Sequence, residues 1–175
     1  AYASSRKILM ILLQPLATIS VANSTFVGQN FGAKKPERIR AALKISLTLE
    51  VGWGLFASCL VFALGSSLIR LLTGTEDPMI LSNAVLSLRI HFAAFPFLGV
   101  LFCIRHTLQA MGMKTAPVLS SCIELGMKIL SANLLIPKLG FLGTCVTEPV
   151  TWVLMVTFLL SVYLRKRESV FASLS

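Results

Sequence analysis

The chain is organised as long apolar runs separated by short polar breaks. Five runs stand out, at approximately residues 8–31, 47–72, 84–110, 115–135 and 142–164. Crossing the hydrocarbon core of a bilayer takes about 20 mostly apolar residues in helical form, so each run is long enough to span. A backbone in lipid has to satisfy its own hydrogen bonds, which favours helices. A membrane β-barrel would show alternation with period two over segments of about ten residues, and no such pattern is present. The predicted fold class is therefore an all-α membrane protein with five transmembrane helices. The breaks carry turn residues: Gly32 to Glu37, Thr73 to Pro78, Met111 to Lys114, and Pro137 to Gly140. Each contains Gly, Pro or both, the usual punctuation between elements.

Composition agrees with a lipid environment. Only 13% of the 175 residues are charged, against about 25% in soluble domains, and mean hydropathy is +0.82. A net charge of +9 would raise nucleic acid as a partner for a soluble protein. Here the basic residues cluster at the ends of the apolar runs, where anionic headgroups and the positive-inside rule account for them. Lys34, Lys35, Arg38, Arg40 and Lys44 flank the first break, Lys114 lies in the third, and Arg165, Lys166 and Arg167 follow the last run. The second break carries Glu76 and Asp77, and the fourth only Lys138. Alternation then puts the first and third breaks and the C-terminus in the cytoplasm. Arg6 and Lys7 fall on the outer side and go against the rule. The chain starts at Ala1 without Met and without the order of a signal peptide, so an upstream part of a longer protein is expected to be missing.

The residues that lipid should exclude are the informative ones. Ionisable side chains at membrane depth cost several kcal/mol and usually face the bundle interior. In the fourth run Ser121, Glu124, Lys128 and Ser131 share one helical face, and in the fifth Thr144, Thr147, Glu148 and Thr151 do so. Gln14, Thr18, Thr25 and Gln29 line one face of the first run, and Arg105 and Gln109 lie one turn apart in the third. These stripes predict a polar interior. At 1.5 Å per residue, Arg105 lies about 9 Å inside the cytoplasmic end of its helix, Glu124 about 14 Å, Lys128 about 20 Å and Glu148 about 25 Å. The alternating signs suggest a ladder in which Arg105 pairs with Glu124, and Lys128 with Glu124 or Glu148. Such pairs can serve only to fix helix register, the reading favoured for Arg105, Lys128 and Glu148. For Glu124 a structural role and a part in proton or cation coupling stand equally open. Ser and Thr stripes are more often interhelical adhesive than ligands.

Pro15, Pro96 and Pro149 fall inside runs and predict kinks. Carbonyls freed by a broken helix can bind ions, or can be satisfied by nearby Ser or Thr. Cys59, Cys103, Cys122 and Cys145 lie inside apolar runs with no Cys-x-x-Cys pair, and read as small packing residues. There is no phosphate-binding Gly-x-x-x-x-Gly-Lys, no His-Glu-x-x-His and no nucleophile with its base. No enzymatic activity, cofactor or metal site is expected.

The stretch Ser24 to Ile39, with Gln29-Asn30-Phe31-Gly32-Ala33 at its centre, closely resembles the Gln-Asn-x-Gly-Ala motif of multidrug and toxic compound extrusion (MATE) transporters. Arg105 to Gly112 is similar to that family's Arg-x-x-Leu-Gln-x-x-Gly segment, and Glu124-Leu125 with Lys128 to its Glu-Leu-x-x-Arg segment. Pro137 to Gly143 and Pro149 to Trp152 resemble its Pro-x-x-Gly-x-x-Gly and Pro-x-x-Trp endings. The likeness covers almost the whole chain. It implies helices eight to twelve of a twelve-helix protein, that is, most of the C-terminal six-helix lobe over residues 1–175, with the N-terminal lobe absent. Two departures stand out: Lys128 replaces the usual Arg, and Phe95 to Ile104 lacks the membrane Asp that some branches use for cation coupling.

The resemblance implies a secondary active antiporter exporting organic, often cationic, compounds in exchange for protons or sodium. It would sit as a multi-pass protein in the plasma membrane, a bacterial inner membrane, with the lipid bilayer, the missing lobe and small organic substrates as partners and no nucleic acid. Glu124 would lie on the cavity side with Lys128, Arg105 and Glu148 near it. Gln29, Asn30, Gly32 and Ala33 would form a cytoplasmic hinge. Two other readings are a flippase of related fold for lipid-linked oligosaccharides, and a truncated fragment that does not transport.

Overall fold

The computed structural model describes residues 2–74 and 77–172 and is helical throughout, with no strand among them. Helix α1 is Tyr2–Gly32 and α2 is Pro36–Thr73. The third apolar run forms two helices, α3 (Pro78–Ala93) and α4 (Phe95–Ala110). The fourth forms α5 (Thr115–Leu130), a π-helical turn (Ser131–Leu135) and a short α6 (Ile136–Leu139). Helix α7 is Phe141–Ala172. Four helical stretches are long and apolar enough to span a membrane, and the bent α3–α4 pair makes a fifth span. The protein is a multi-pass membrane protein.

Helices α1, α2 and α7 overrun their apolar runs at both ends. At 38 residues α2 is about 57 Å long, well beyond a hydrocarbon core of about 30 Å, so its basic first turns from Pro36 to Lys44 extend past the lipid interior. Pro36 in the first turn and Glu37 beside the positive end of the helix dipole favour that start. Helix α3 begins with a side-chain cap: Asp77 Oδ1 accepts from the amides of Met79 and Ile80 at 2.8 and 3.3 Å. Glu76, counted above among the acids of this break, lies outside the described residues.

Helices α1, α2 and α4 pack mutually at the centre, α3 lies against α1 and α2, and α7 packs on α3 and α4. Helix α5 is peripheral and rests chiefly on α7. Leu16, Val27, Ile39, Phe92, Phe95, Ile104, Leu108 and Leu159 are fully buried in the core, while Ile11, Phe56, Leu71, Val118 and Leu125 are among the apolar side chains on the surface, where lipid suits them.

The three prolines act differently. Pro15 and Pro149 lie inside continuous helices. Pro96 stands in the first turn of α4, just past a break at Ala94 where α3 and α4 bend by 47°. Pro96 has no amide to give the Phe92 carbonyl, and the Ser58 hydroxyl of α2 donates to that carbonyl instead at 2.6 Å. Phe92 and Phe95 stack across the bend with ring centroids 4.5 Å apart.

The fourth break is shorter than the residues suggested. Pro137 lies within α6, and helical structure stops only at Gly140, whose φ of 54° is left-handed. The π-helical turn shifts the bonding by one residue, so that the Ile136 amide reaches the Ser131 carbonyl, and Pro137 falls in a new first turn where its missing N–H matters least. Gly143 is held at close quarters, since a Cβ there would lie 2.8 Å from the Leu135 carbonyl oxygen. The first break also differs: Gly32 is helical, and the left-handed residue is Lys34, at φ 54°.

Two substitutions test these corners by thermal unfolding of the purified protein. Gly143→Ala forces backbone apart between α6 and α7, and overpacking of this kind costs about 1–3 kcal/mol. Lys34→Gly removes a left-handed strain of about 1–2 kcal/mol and raises the unfolding temperature.

Candidate functional site

Helices α1, α4, α5 and α7 surround a cavity of about 200 Å³. The four charged candidates from different runs, Arg105, Glu124, Lys128 and Glu148, all line it, and Arg6 joins them. Met10, Phe102, Trp152 and Met155 supply an apolar and aromatic wall. The chemistry on offer is a mixed-charge surface facing flat, polarisable groups, which suits an amphiphilic organic ligand.

The ion pairs differ in part from the expected ladder. Lys128 Nζ bonds Glu124 Oε1 at 2.7 Å, one of the pairings foreseen for Lys128. Both belong to α5, four residues apart with the acid first, the favourable order on a helix. Arg105 does not reach Glu124; its guanidinium donates to the Ser121 hydroxyl. Glu148 pairs with Arg6 rather than Lys128: Arg6 Nη1 lies 2.5 Å from Glu148 Oε2, and His91 Nε2 approaches the same oxygen at 3.5 Å. The expected ladder rests on depth along each helix. Depth carries no information on which helices adjoin, and the first turns of α1 lie beside α3 and α7. Arg6, the residue that offended the charge rule, is thus the ion partner of a membrane carboxylate.

The polar stripes sort in two ways. Those on α5 and α7 turn inward: Ser131 and Thr147 share a short hydroxyl–hydroxyl bond, Thr147 and Thr151 are buried, and Thr144 is partly so. The stripe on α1 does not. Gln14, Thr18, Thr25 and Gln29 are exposed on this chain. Thr18 and Thr25 donate to the carbonyls of Gln14 and Val21 at 3.0 and 3.1 Å, which lets a hydroxyl face outward without an unmet bond. Gln109 of α4 is exposed as well. The buried polar face of α1 is Ser20, Asn23 and Asn30.

Around the Gln29–Ala33 motif the chain reverses in a bonded turn. The Ala33 amide reaches the Gln29 carbonyl at 3.0 Å and the Lys35 amide the Asn30 carbonyl at 2.9 Å. Asn30 is buried and donates its side-chain amide to the Phe26 carbonyl at 2.8 Å. Asn30 therefore holds the end of α1, while Gln29 remains on the surface.

A second polar group escaped the sequence reading. Glu50 of α2 is fully buried and accepts from Ser20 Oγ at 2.6 Å. Asn23 Nδ2 donates to Thr107 Oγ1 at 2.9 Å and lies 3.9 Å from Cys103 Sγ. The signal was available, because Glu50 is the sole acid of the run 47–72. Buried Ser46 lies one turn before it and Ser58 two turns after it on the same face, a spacing that the sequence reading did not follow up. Among the described residues no group of three or more His, Cys, Asp or Glu side chains could hold a metal ion.

Comparison with known proteins bears on identity. A probable multidrug resistance protein, YoeA of Bacillus subtilis (strain 168), is 29% identical over 175 residues, which take in 96% of this chain and 37% of that protein. The chain thus spans well under half the length of that relative. No solved structure matches. The MatE family model matches residues 1–134, the whole of α1 to α5 and part of the π-helical turn. On that match, which rests on most of the chain, this protein belongs to MatE, the multidrug and toxic compound extrusion family of transporters.

Proposed function

We propose that this chain forms most of one lobe of a secondary active exporter that alternates between inward-open and outward-open states, with the charged cavity on the substrate side. The observation that carries the reading is the convergence of Arg105, Glu124, Lys128 and Glu148 on one cavity walled by Phe102 and Trp152, in a chain of this family. The name of the Bacillus subtilis relative, a multidrug resistance protein, favours organic compounds as cargo. The exchange ion is a proton or sodium. A second, N-terminal lobe closes the other side of the cavity, so the described helices do not transport alone.

Glu124 is the exposed acid of the cavity, with its carboxyl shared only with Lys128 of its own helix. It is the group best placed to meet a cationic substrate. Glu148, held by Arg6 and His91, keeps α1, α3 and α7 in register. The chain lies in the plasma membrane, a bacterial inner membrane, with Lys34, Lys35, Lys114 and the C-terminus in the cytoplasm.

One feature favours a second reading. The cavity holds the cations Arg6, Arg105 and Lys128 against the acids Glu124 and Glu148, and Arg105 is bonded to a hydroxyl rather than to an acid. A surplus cation suits an anionic amphiphile such as a lipid-linked oligosaccharide, which a flippase of related fold would carry.

Three measurements decide among these. In proteoliposomes of the full-length protein, an imposed proton or sodium gradient drives export of a cationic dye, and Glu124→Gln lowers that export and alters its pH dependence; unchanged efflux removes Glu124 from the mechanism. Movement of an anionic lipid-linked saccharide across the bilayer without dye export favours the flippase. A C-terminal fluorescent-protein fusion fluoresces, and the matching alkaline phosphatase fusion is inactive, if the C-terminus is cytoplasmic.

A further inference from the structure

We propose that Glu50 is a proton-binding site built into a close, glycine-lined crossing of the bundle, where loading and release of a proton open and close the contact between α2 and α4. Its place in a transport cycle rests on the exporter reading above; proton binding itself does not.

The case begins with unmet hydrogen bonds. Glu50 is fully buried, and Ser20 satisfies only one of its oxygens, Oε1, at 2.6 Å. The other, Oε2, has no partner, nor does Oδ1 of buried Asn23, which lies one turn from Ser20 on α1. Two buried acceptors without donors are a costly arrangement, since an unsatisfied buried polar group loses about 1–3 kcal/mol. A proton on Glu50 removes the charge and supplies the donor that this acceptor-rich cluster lacks.

No counter-charge does that work. From α1 Ser20 donates to Glu50, from α4 the backbone and thiol of Cys103 lie beside it, and Asn23 and Thr107 bond to each other next to this group, all uncharged. On α4 Arg105 is bonded to Ser121 and His106 to the Phe102 carbonyl. On α3 His91 approaches Glu148, and Arg89 is exposed. No ion pair found among the described residues includes Glu50. An ionised carboxylate so placed would cost several kcal/mol in lipid.

The position connects the proton to movement. Glu50 and Gly54 lie one turn apart on α2 and meet Gly99 and Pro96 of α4. A Cβ on Gly99 would stand 3.0 Å from the Glu50 carbonyl oxygen, and one on Gly54 would stand 2.8 Å from Pro96 Cα. This contact sits immediately past the 47° bend between α3 and α4. Backbones this close leave a carboxylate no room for a hydration shell. Loss of the proton therefore drives α2 and α4 apart to admit water, and its return lets them close.

The test is infrared difference spectroscopy of the full-length protein in lipid nanodiscs, titrated with pH in the presence and absence of sodium. We expect a protonated-carboxyl C=O band that is lost in Glu50→Gln, kept in Glu124→Gln and unmoved by sodium at fixed pH. Ser20→Ala, which leaves Glu50 in place, shifts that band to higher frequency by removing its hydrogen bond. A Glu50→Gln spectrum equal to that of the wild type overturns the proposal, and so does a band abolished by sodium, which would make this a sodium site. In proteoliposomes Glu50→Gln loses the dependence of efflux on the proton gradient; retention of that dependence overturns the coupling role. A wild-type protein that shows the Glu50 band but exports nothing under any gradient overturns the exporter reading and leaves the proton site standing.

Discussion

In hydrocarbon, a backbone carbonyl or amide has no water to fall back on, and every place where a helix bends or stops has to find a partner within the protein. This constraint accounts for contacts at the bends and ends of the helices. Ser58 supplies the donor that Pro96 cannot give to Phe92. Trp53 Nε1 donates to the Leu12 carbonyl at 2.9 Å, beside the stretch that Pro15 disturbs. Asn30 closes the last turn of α1, and Asp77 caps the first turn of α3. The bend between α3 and α4 persists because α2 satisfies it, so α2 and α4 are coupled at the point where the bundle is least regular.

The same rule applied to side chains divides the polar residues into two groups. The charged cavity holds groups whose charges offset one another, Arg6 with Glu148 across two helices and Lys128 with Glu124 along one. The α1–α2–α4 junction holds uncharged partners around a single carboxyl, Glu50. The first arrangement can be open and wet, because its charges are paired and can meet a ligand. The second is dry and tightly packed. On the exporter reading proposed above, both have a reason to be present in one lobe, one as a surface for cargo and the other as a group that changes its proton occupancy.

The Gln29–Ala33 motif lies where α1 ends, and the turn there is not set by its glycine. Gly32 remains helical, and Lys34 takes the positive φ. Asn30 carries the structural load through its bond to Phe26. Gly140 and Gly143, by contrast, are required by the backbone itself. One adopts the left-handed conformation and the other lets the backbone of α7 approach the end of the π-helical turn.

The sequence alone determined the all-α membrane architecture, because run length and apolar content set what can cross a bilayer. It also brought forward Arg105, Glu124, Lys128 and Glu148, because a charge inside an apolar run is conspicuous whatever surrounds it. The partners were decided by tertiary structure. Arg6 meets Glu148, and Arg105 meets Ser121 instead of Glu124, since depth along a helix does not say which neighbour lies alongside. The inward face of α1 carries Ser20 and Asn23 rather than Gln14 and Thr18, because a threonine bonded to its own helix can face outward at little cost. Glu50 shows the same limit most clearly: its charge is plain in the sequence, but its isolation is a property of three helices packed together.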